Sequence, residues 1–134
     1  MEESLPRALV NRLLEQAQHS PETEVCGLIG LSEAGTYSFY PVVNVASEQD
    51  HLFAMEPKGQ IDAMRQMREA NEELYAIYHS HPHAPAEPSA RDLHEAAYPE
   101  ALYLIISLDT RGVLQLKGFR LREGNFIPVE LHLA

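Results

Sequence analysis

The apolar run Leu74-Tyr75-Ala76-Ile77-Tyr78 leads straight into His79-Ser80-His81, and Pro82 and Pro85 follow at once. No other feature limits the fold so strongly. A short aromatic and aliphatic run stopped by prolines reads as a buried strand. Residues two apart on a strand share a face, so His79 and His81 leave on one side and Ser80 on the other. Eleven positions after His81 stands Asp92. Ser89 is placed to cap a helix carrying Asp92 in its first turn. Strand end, loop and helix start would then bring two imidazoles and a carboxylate together. Three such ligands with a fourth position left for water make an open, catalytic zinc site.

The rest of the chain must supply a scaffold for that convergence. At 134 residues it is read as a single domain spanning 1–134, large enough to bury about two thirds of its unfolded surface without disulfide staples. A net charge of −10 argues against a nucleic-acid partner, since phosphate binding needs clustered Lys and Arg. Cys26 is the only cysteine, which excludes an intrachain disulfide and fits a reducing, cytoplasmic setting. No stretch has signal-peptide or membrane-spanning character, so no membrane association is expected.

Hydrophobic spacing orders the elements. Leu5, Leu9, Val10, Leu13, Leu14 and Ala17 recur at helical spacing up to Ser20-Pro21. Val25 to Leu31 reads as a buried strand, Glu33-Ala34-Gly35 as a turn, and Tyr37 to Val45 as its hairpin partner, with Pro41 placing it at an edge or bulge. His51 to Met55 reads as a further short strand, and Lys58 to Asn71 as a second helix. After the strand into His79 come a helix from Ser89 to Ala97 and a strand from Leu102 to Leu108. Asp109 to Gly112 is read as a turn, Val113 to Leu121 as a strand, and a last strand ends near Leu133. The fold class is α/β of the mixed α+β kind: a central mixed sheet flanked by helices.

Each candidate residue also has an ordinary reading. His-x-His alone is also what a polar pair at a strand edge looks like. Ser89-x-x-Asp92 is close to a capping box, in which both side chains satisfy free helix amides. Cys26 lies inside an apolar run and reads as a small buried hydrophobe rather than a nucleophile. His19, His51, His83, His94 and His132 read as surface or satisfied histidines, and Met64, Met67 and Tyr78 as core. A water on the metal also needs a proton acceptor, which spacing cannot pick from 20 acidic residues.

Three separated blocks, Glu24-Val25-Cys26-Gly27, His79-Ser80-His81-Pro82 and Pro88-Ser89-Ala90-Arg91-Asp92, together resemble the JAMM (MPN-plus) zinc metallopeptidases. The resemblance extends over essentially the whole chain and implies an MPN, cytidine-deaminase-like fold. It implies that His79, His81 and Asp92 bind one zinc ion, that Glu24 is the general acid and base, and that Ser89 hydrogen-bonds the water or the developing oxyanion. Glu22, two residues earlier, competes with Glu24 for the role of base. It further implies hydrolysis of the amide bond after the C-terminal Gly-Gly of a ubiquitin-like protein, with ubiquitin-fold sulfur carriers as the partners of small prokaryotic members. The chain lacks room for the insertions that grip two ubiquitins in the eukaryotic enzymes, which points to a compact single-tail substrate. Two other readings compete. One is a metal-free MPN-type scaffold, disfavoured by the intact ligand set. The other is a cupin-like barrel, disfavoured by the two helices and by the distance to Glu87.

Overall fold

Strand β4 (Glu72–His81), which ends in the two histidines, lies inside a seven-stranded sheet. The computed structural model describes residues 1–109 and 114–134. In chain order the elements are β1 (Glu2–Leu5), α1 (Arg7–His19), β2 (Cys26–Ser32), β3 (Tyr37–Val42) and α2 (Pro57–Glu69). Then follow β4, α3 (Ala90–Glu95), β5 (Leu102–Ser107), β6 (Gln115–Arg122) and β7 (Asn125–Leu133). The sheet order is β1-β7-β6-β5-β4-β2-β3. The pairs β4–β5 and β1–β7 are parallel and the others antiparallel. This is the mixed sheet with helices that the sequence suggests.

Strand alternation divides the core between the two faces. Ala76 and Tyr78 of β4 and Leu102, Leu104 and Ile106 of β5 join Leu9, Val10, Leu13 and Ala17 of α1 on one face. Ile77 of β4 and Tyr103 and Ile105 of β5 join Ala63 and Met67 of α2 on the other. His79 and His81 share parity with Ile77, so they emerge on the α2 face. There the parallel connection from β4 to β5 brings α3 across. Tyr78 is fully buried on the α1 face, and its hydroxyl donates to Gln16 Oε1 at 2.5 Å. Gly27, opposite it in the register, makes room: a Cβ there would lie 2.3 Å from the Tyr78 hydroxyl.

Several elements differ from the sequence reading, α2 among them, which ends at Glu69 rather than near Asn71. Leu5 is core, as its spacing implies, but it ends β1 and pairs with Leu133 instead of starting α1. Pro6 disfavours helical geometry in the residue before it. The hairpin strand stops at Val42 rather than Val45. His51 to Met55 forms no strand, only the isolated bridge Asn44–Met55. There the Asn44 side chain takes backbone bonds that a ladder would have supplied. Helix α3 ends at Glu95 rather than Ala97; the Ala97 and Tyr98 N–H groups donate instead to the Tyr103 hydroxyl. Residues 110–113, in the proposed turn after Asp109 and at the start of the next strand, lie outside the described residues. Pro41 sits on β3, an edge strand, where its missing N–H costs no ladder bond.

Candidate metal centre

The end of β4 delivers the imidazoles and α3 delivers the carboxylate. His79 Nε2 and His81 Nε2 lie 3.1 Å apart. Asp92 Oδ2 is 3.2 Å from the first and 3.3 Å from the second. Both histidines are buried, and the Asp92 side chain is 10% exposed. Three donor atoms on a tetrahedron around zinc, with bonds of about 2.0–2.1 Å, would be separated by about 3.3 Å. The observed triangle has that size.

Neighbouring groups hold the triangle in this form. His81 Nδ1 lies 2.8 Å from the Pro85 carbonyl. A carbonyl only accepts, so Nδ1 carries the hydrogen and a neutral ring turns a lone pair on Nε2 towards the cluster. His79 stacks on Phe53, with ring centroids 4.4 Å apart. Asp92 is the third helical position of α3, and its Oδ2 accepts the Ser89 N–H at 2.9 Å. The Asp92 N–H in turn donates to Ser89 Oγ at 3.0 Å. The capping box and the ligand geometry thus coexist on a single carboxylate oxygen, whose two lone pairs allow both. Among the described residues Ser89 Oγ receives that one bond and has no acceptor for its hydroxyl hydrogen. The loop carrying Pro85 is pinned by Ser107, whose Oγ donates to the Ala84 carbonyl at 2.7 Å.

Glu24 enters from the segment before β2. It is 4% exposed, and its Oε1 has no hydrogen-bond partner among the described residues. Glu24, His79 and His81 each offer a ligand-type atom, all within 4.8 Å of one another. Glu22 points elsewhere: its side chain is exposed and lies 3.4 Å from His83. The chain therefore brings Glu24, and not Glu22, to the cluster. Ser80, facing away from the site, ties the two segments together. Its Oγ accepts the Val25 N–H at 2.9 Å and its own N–H donates to the Val25 carbonyl.

The electrostatics follow from burial and neighbours. Burial pushes the Glu24 carboxyl up to about 7, and the His81 charge offsets only part of that. Burial holds the pKa of His79 below its ordinary value despite Asp92. Burial acts the same way on His81, but Asp92, the Pro85 carbonyl and Glu24 together outweigh it and raise its pKa. For Asp92, burial opposes ionisation, yet His79, His81 and the Ser89 N–H hold it well below the usual carboxylate range. The result is an anionic carboxylate beside two imidazoles, with a second carboxylate, whose pKa lies near 7, facing them. That combination can hold a divalent cation and pass a proton. Cys26 is fully buried, and burial pushes its thiol up to about 12, which suits a core residue and not a nucleophile. His19, His51, His83, His94 and His132 are exposed.

Spacing alone does not reveal Phe53, Pro85, Asn44 or Ser107. Phe53 and Pro85 act through ring stacking and a backbone carbonyl, and neither has a motif. An apolar groove lined by Phe53, Met55, Ile77, Tyr98, Tyr103 and Phe126 opens onto His79 and Asp92.

A mixed sheet that delivers two histidines from the end of an inner strand, and an aspartate from the next helix, places the molecule among the MPN-type domains. A Desulfitobacterium hafniense protein of known solution structure superposes with a TM-score of 0.83 at 30% identity, covering 98% of this chain and 92% of its own. A JAB1/MPN domain protein from Archaeoglobus fulgidus shares the fold at a TM-score of 0.58 and 19% identity, covering 98% and 99%. Residues 6–120 match the family described as prokaryotic homologs of the JAB domain, and the chain belongs to that family. Among characterised relatives, the desampylase of Haloferax volcanii is 34% identical over 78% of this chain and 76% of its own. The CysO-cysteine peptidase of Mycobacterium tuberculosis is 28% identical over 87% and 80%. Among the described residues, no helix is long and apolar enough to cross a membrane.

Proposed function

We propose that this protein is a zinc-dependent peptidase acting on conjugates or C-terminal extensions of ubiquitin-like proteins, with residues 1–134 working as one unit. The observation that carries the reading is Glu24: a buried carboxylate with an unpartnered oxygen, facing a His-His-Asp triangle of tetrahedral size. A purely structural site would have no use for it, since a buried unpaired acid costs stability. His79, His81 and Asp92 would hold the zinc. Bound there, zinc would lower the pKa of a water ligand towards neutrality and polarise the scissile carbonyl. Glu24, with its pKa brought up to about 7, is matched to take a proton from water and return it to the leaving amine. The Ser89 hydroxyl is free to donate to the oxygen on which negative charge develops. The substrate class comes from the family and from the relatives' names, which include a probable TtuB-protein conjugate cleaving protease of Thermus thermophilus, 36% identical over 66% of this chain and 56% of its own. We assign the scissile bond to the amide after a terminal Gly-Gly. The groove that opens onto His79 and Asp92 is where the substrate's C-terminal tail would lie. A cytoplasmic location accords with this reading.

The test is to incubate the protein with a ubiquitin-fold sulfur carrier extended past Gly-Gly and record intact masses with and without chelator. Chelator-sensitive loss of the extension is expected. Zinc bound at one per chain without cleavage at that junction would refute the substrate assignment, and absence of zinc uptake would favour the scaffold reading.

A further inference from the structure

Glu24 and Phe53 reach the centre from segments outside the regular strands, and one side chain joins them. Asn44 Nδ2 donates to the Glu24 carbonyl at 2.9 Å and to the Leu52 carbonyl at 3.0 Å. Its Oδ1 accepts the Ala46 N–H and the Ala54 N–H, both at 3.0 Å. An amide offers two donors and two acceptor lone pairs, so every bond it can make goes to backbone here. The ring then closes through Gln49, whose carbonyl accepts the Glu24 N–H at 2.7 Å and whose Nε2 donates to the Asn44 carbonyl at 2.9 Å. Leu52 and Ala54 flank Phe53, the residue stacked on His79. Besides these, two backbone bonds frame the isolated bridge Asn44–Met55, and the His51 and Leu52 N–H groups turn back to the Glu48 carbonyl.

We infer that Asn44 is a positioning residue, setting the Glu24 carboxylate over the histidines and Phe53 against the ring of His79. The inference rests on the proposed role of Glu24 as proton carrier, but its geometry can be tested without turnover. Asn44→Asp keeps the acceptor oxygen for Ala46 and Ala54. It replaces the donors to Glu24 and Leu52 with an oxygen facing two carbonyls, which releases the Glu24 segment.

The experiment is a double-mutant comparison on zinc-free protein at pH 8. With Asn44 present, Glu24→Gln should raise Tm by about 10 °C, because a buried carboxylate without a hydrogen-bond partner on Oε1 among the described residues is replaced by an uncharged amide. With Asn44→Asp in place the same change should give less than half that rise, since the freed carboxylate has reached water. An equal rise in both backgrounds would overturn the inference, because a merely structural role lowers both backgrounds alike. If Asn44→Asp does not fold, Asn44→Ala is put through the same comparison. In zinc-loaded protein, with the extended sulfur carrier as substrate, Asn44→Asp should lower kcat by about a hundredfold, the scale of an ångström's misplacement. KM and zinc content should stay near wild type, and a kcat within about twofold of wild type would also overturn the inference. A wild-type protein that leaves the carrier intact would refute the substrate reading, while the Tm comparison would still decide the role of Asn44.

Discussion

Replacing Glu24 by glutamine should make the zinc-free protein more stable while removing its activity. The residue is 4% exposed and one carboxylate oxygen has no partner among the described residues, so ionisation inside the fold is opposed by burial. Its carboxyl is moved from 4.5 to about 7. At 1.36 kcal/mol per pKa unit the penalty on the ionised folded state is about 3 kcal/mol. The sign follows from proton counts. Between pH 4.5 and 7 the unfolded chain has released this proton and the folded chain still holds it, so stability falls as pH rises through that window. Above pH 7 the penalty is fully present; below 4.5 it is absent. Glutamine has nearly the same shape and no charge, so at pH 8 it should add about 3 kcal/mol, or about 10 °C in Tm for a domain of this size. At pH 4 the two proteins should melt together. Thermal melts monitored by circular dichroism, on chelator-treated protein at pH 4, 6 and 8, measure this directly. An equal or lower Tm for the variant at pH 8, or a gain that does not change with pH, would refute the reasoning. The same variant should retain one zinc per chain and lose nearly all turnover.

Asp92→Asn removes the anionic member of the triangle but can keep part of the capping box. Zinc measured by elemental analysis after gel filtration should fall well below one per chain, with the helical circular dichroism signal retained. Zinc affinity should also weaken as pH falls, because His81, with its raised pKa, holds a proton that the metal must displace; a titration from pH 8 to 6 checks this. Gly27→Ala places a Cβ 2.6 Å from the Tyr40 carbonyl and 2.3 Å from the Tyr78 hydroxyl. It should destabilise by about 1–3 kcal/mol, read from urea unfolding. Cys26 should stay unmodified by iodoacetamide at pH 8 in folded protein and react fully in denaturant, since it is buried and its thiol ionises only near 12.

Much of the site could be read from short-range rules. His79 and His81 sit on a strand whose period is two, so a shared face follows from position alone. Ser89 and Asp92 sit at a helix start whose capping geometry is local, and the structure shows that box. The order of strands and helices was legible for the same reason: each long element carries its own period. What escaped was non-local. The true place of Leu5 depends on β7, a strand more than a hundred residues away. The stretch from His51 to Met55 has the residues of a strand, but Asn44 takes its backbone bonds.

The sequence by itself determined the candidate ligand types, their pairwise spacing and the faces they occupy, because each of those follows from backbone geometry over fewer than fifteen residues. The resemblance named Glu24 over Glu22, but only the tertiary structure decided how Glu24 is brought to the cluster, that Phe53 covers His79, and that Asn44 fastens both. Those choices are made by burial and by hydrogen bonds between segments distant in the chain, and no local period records them.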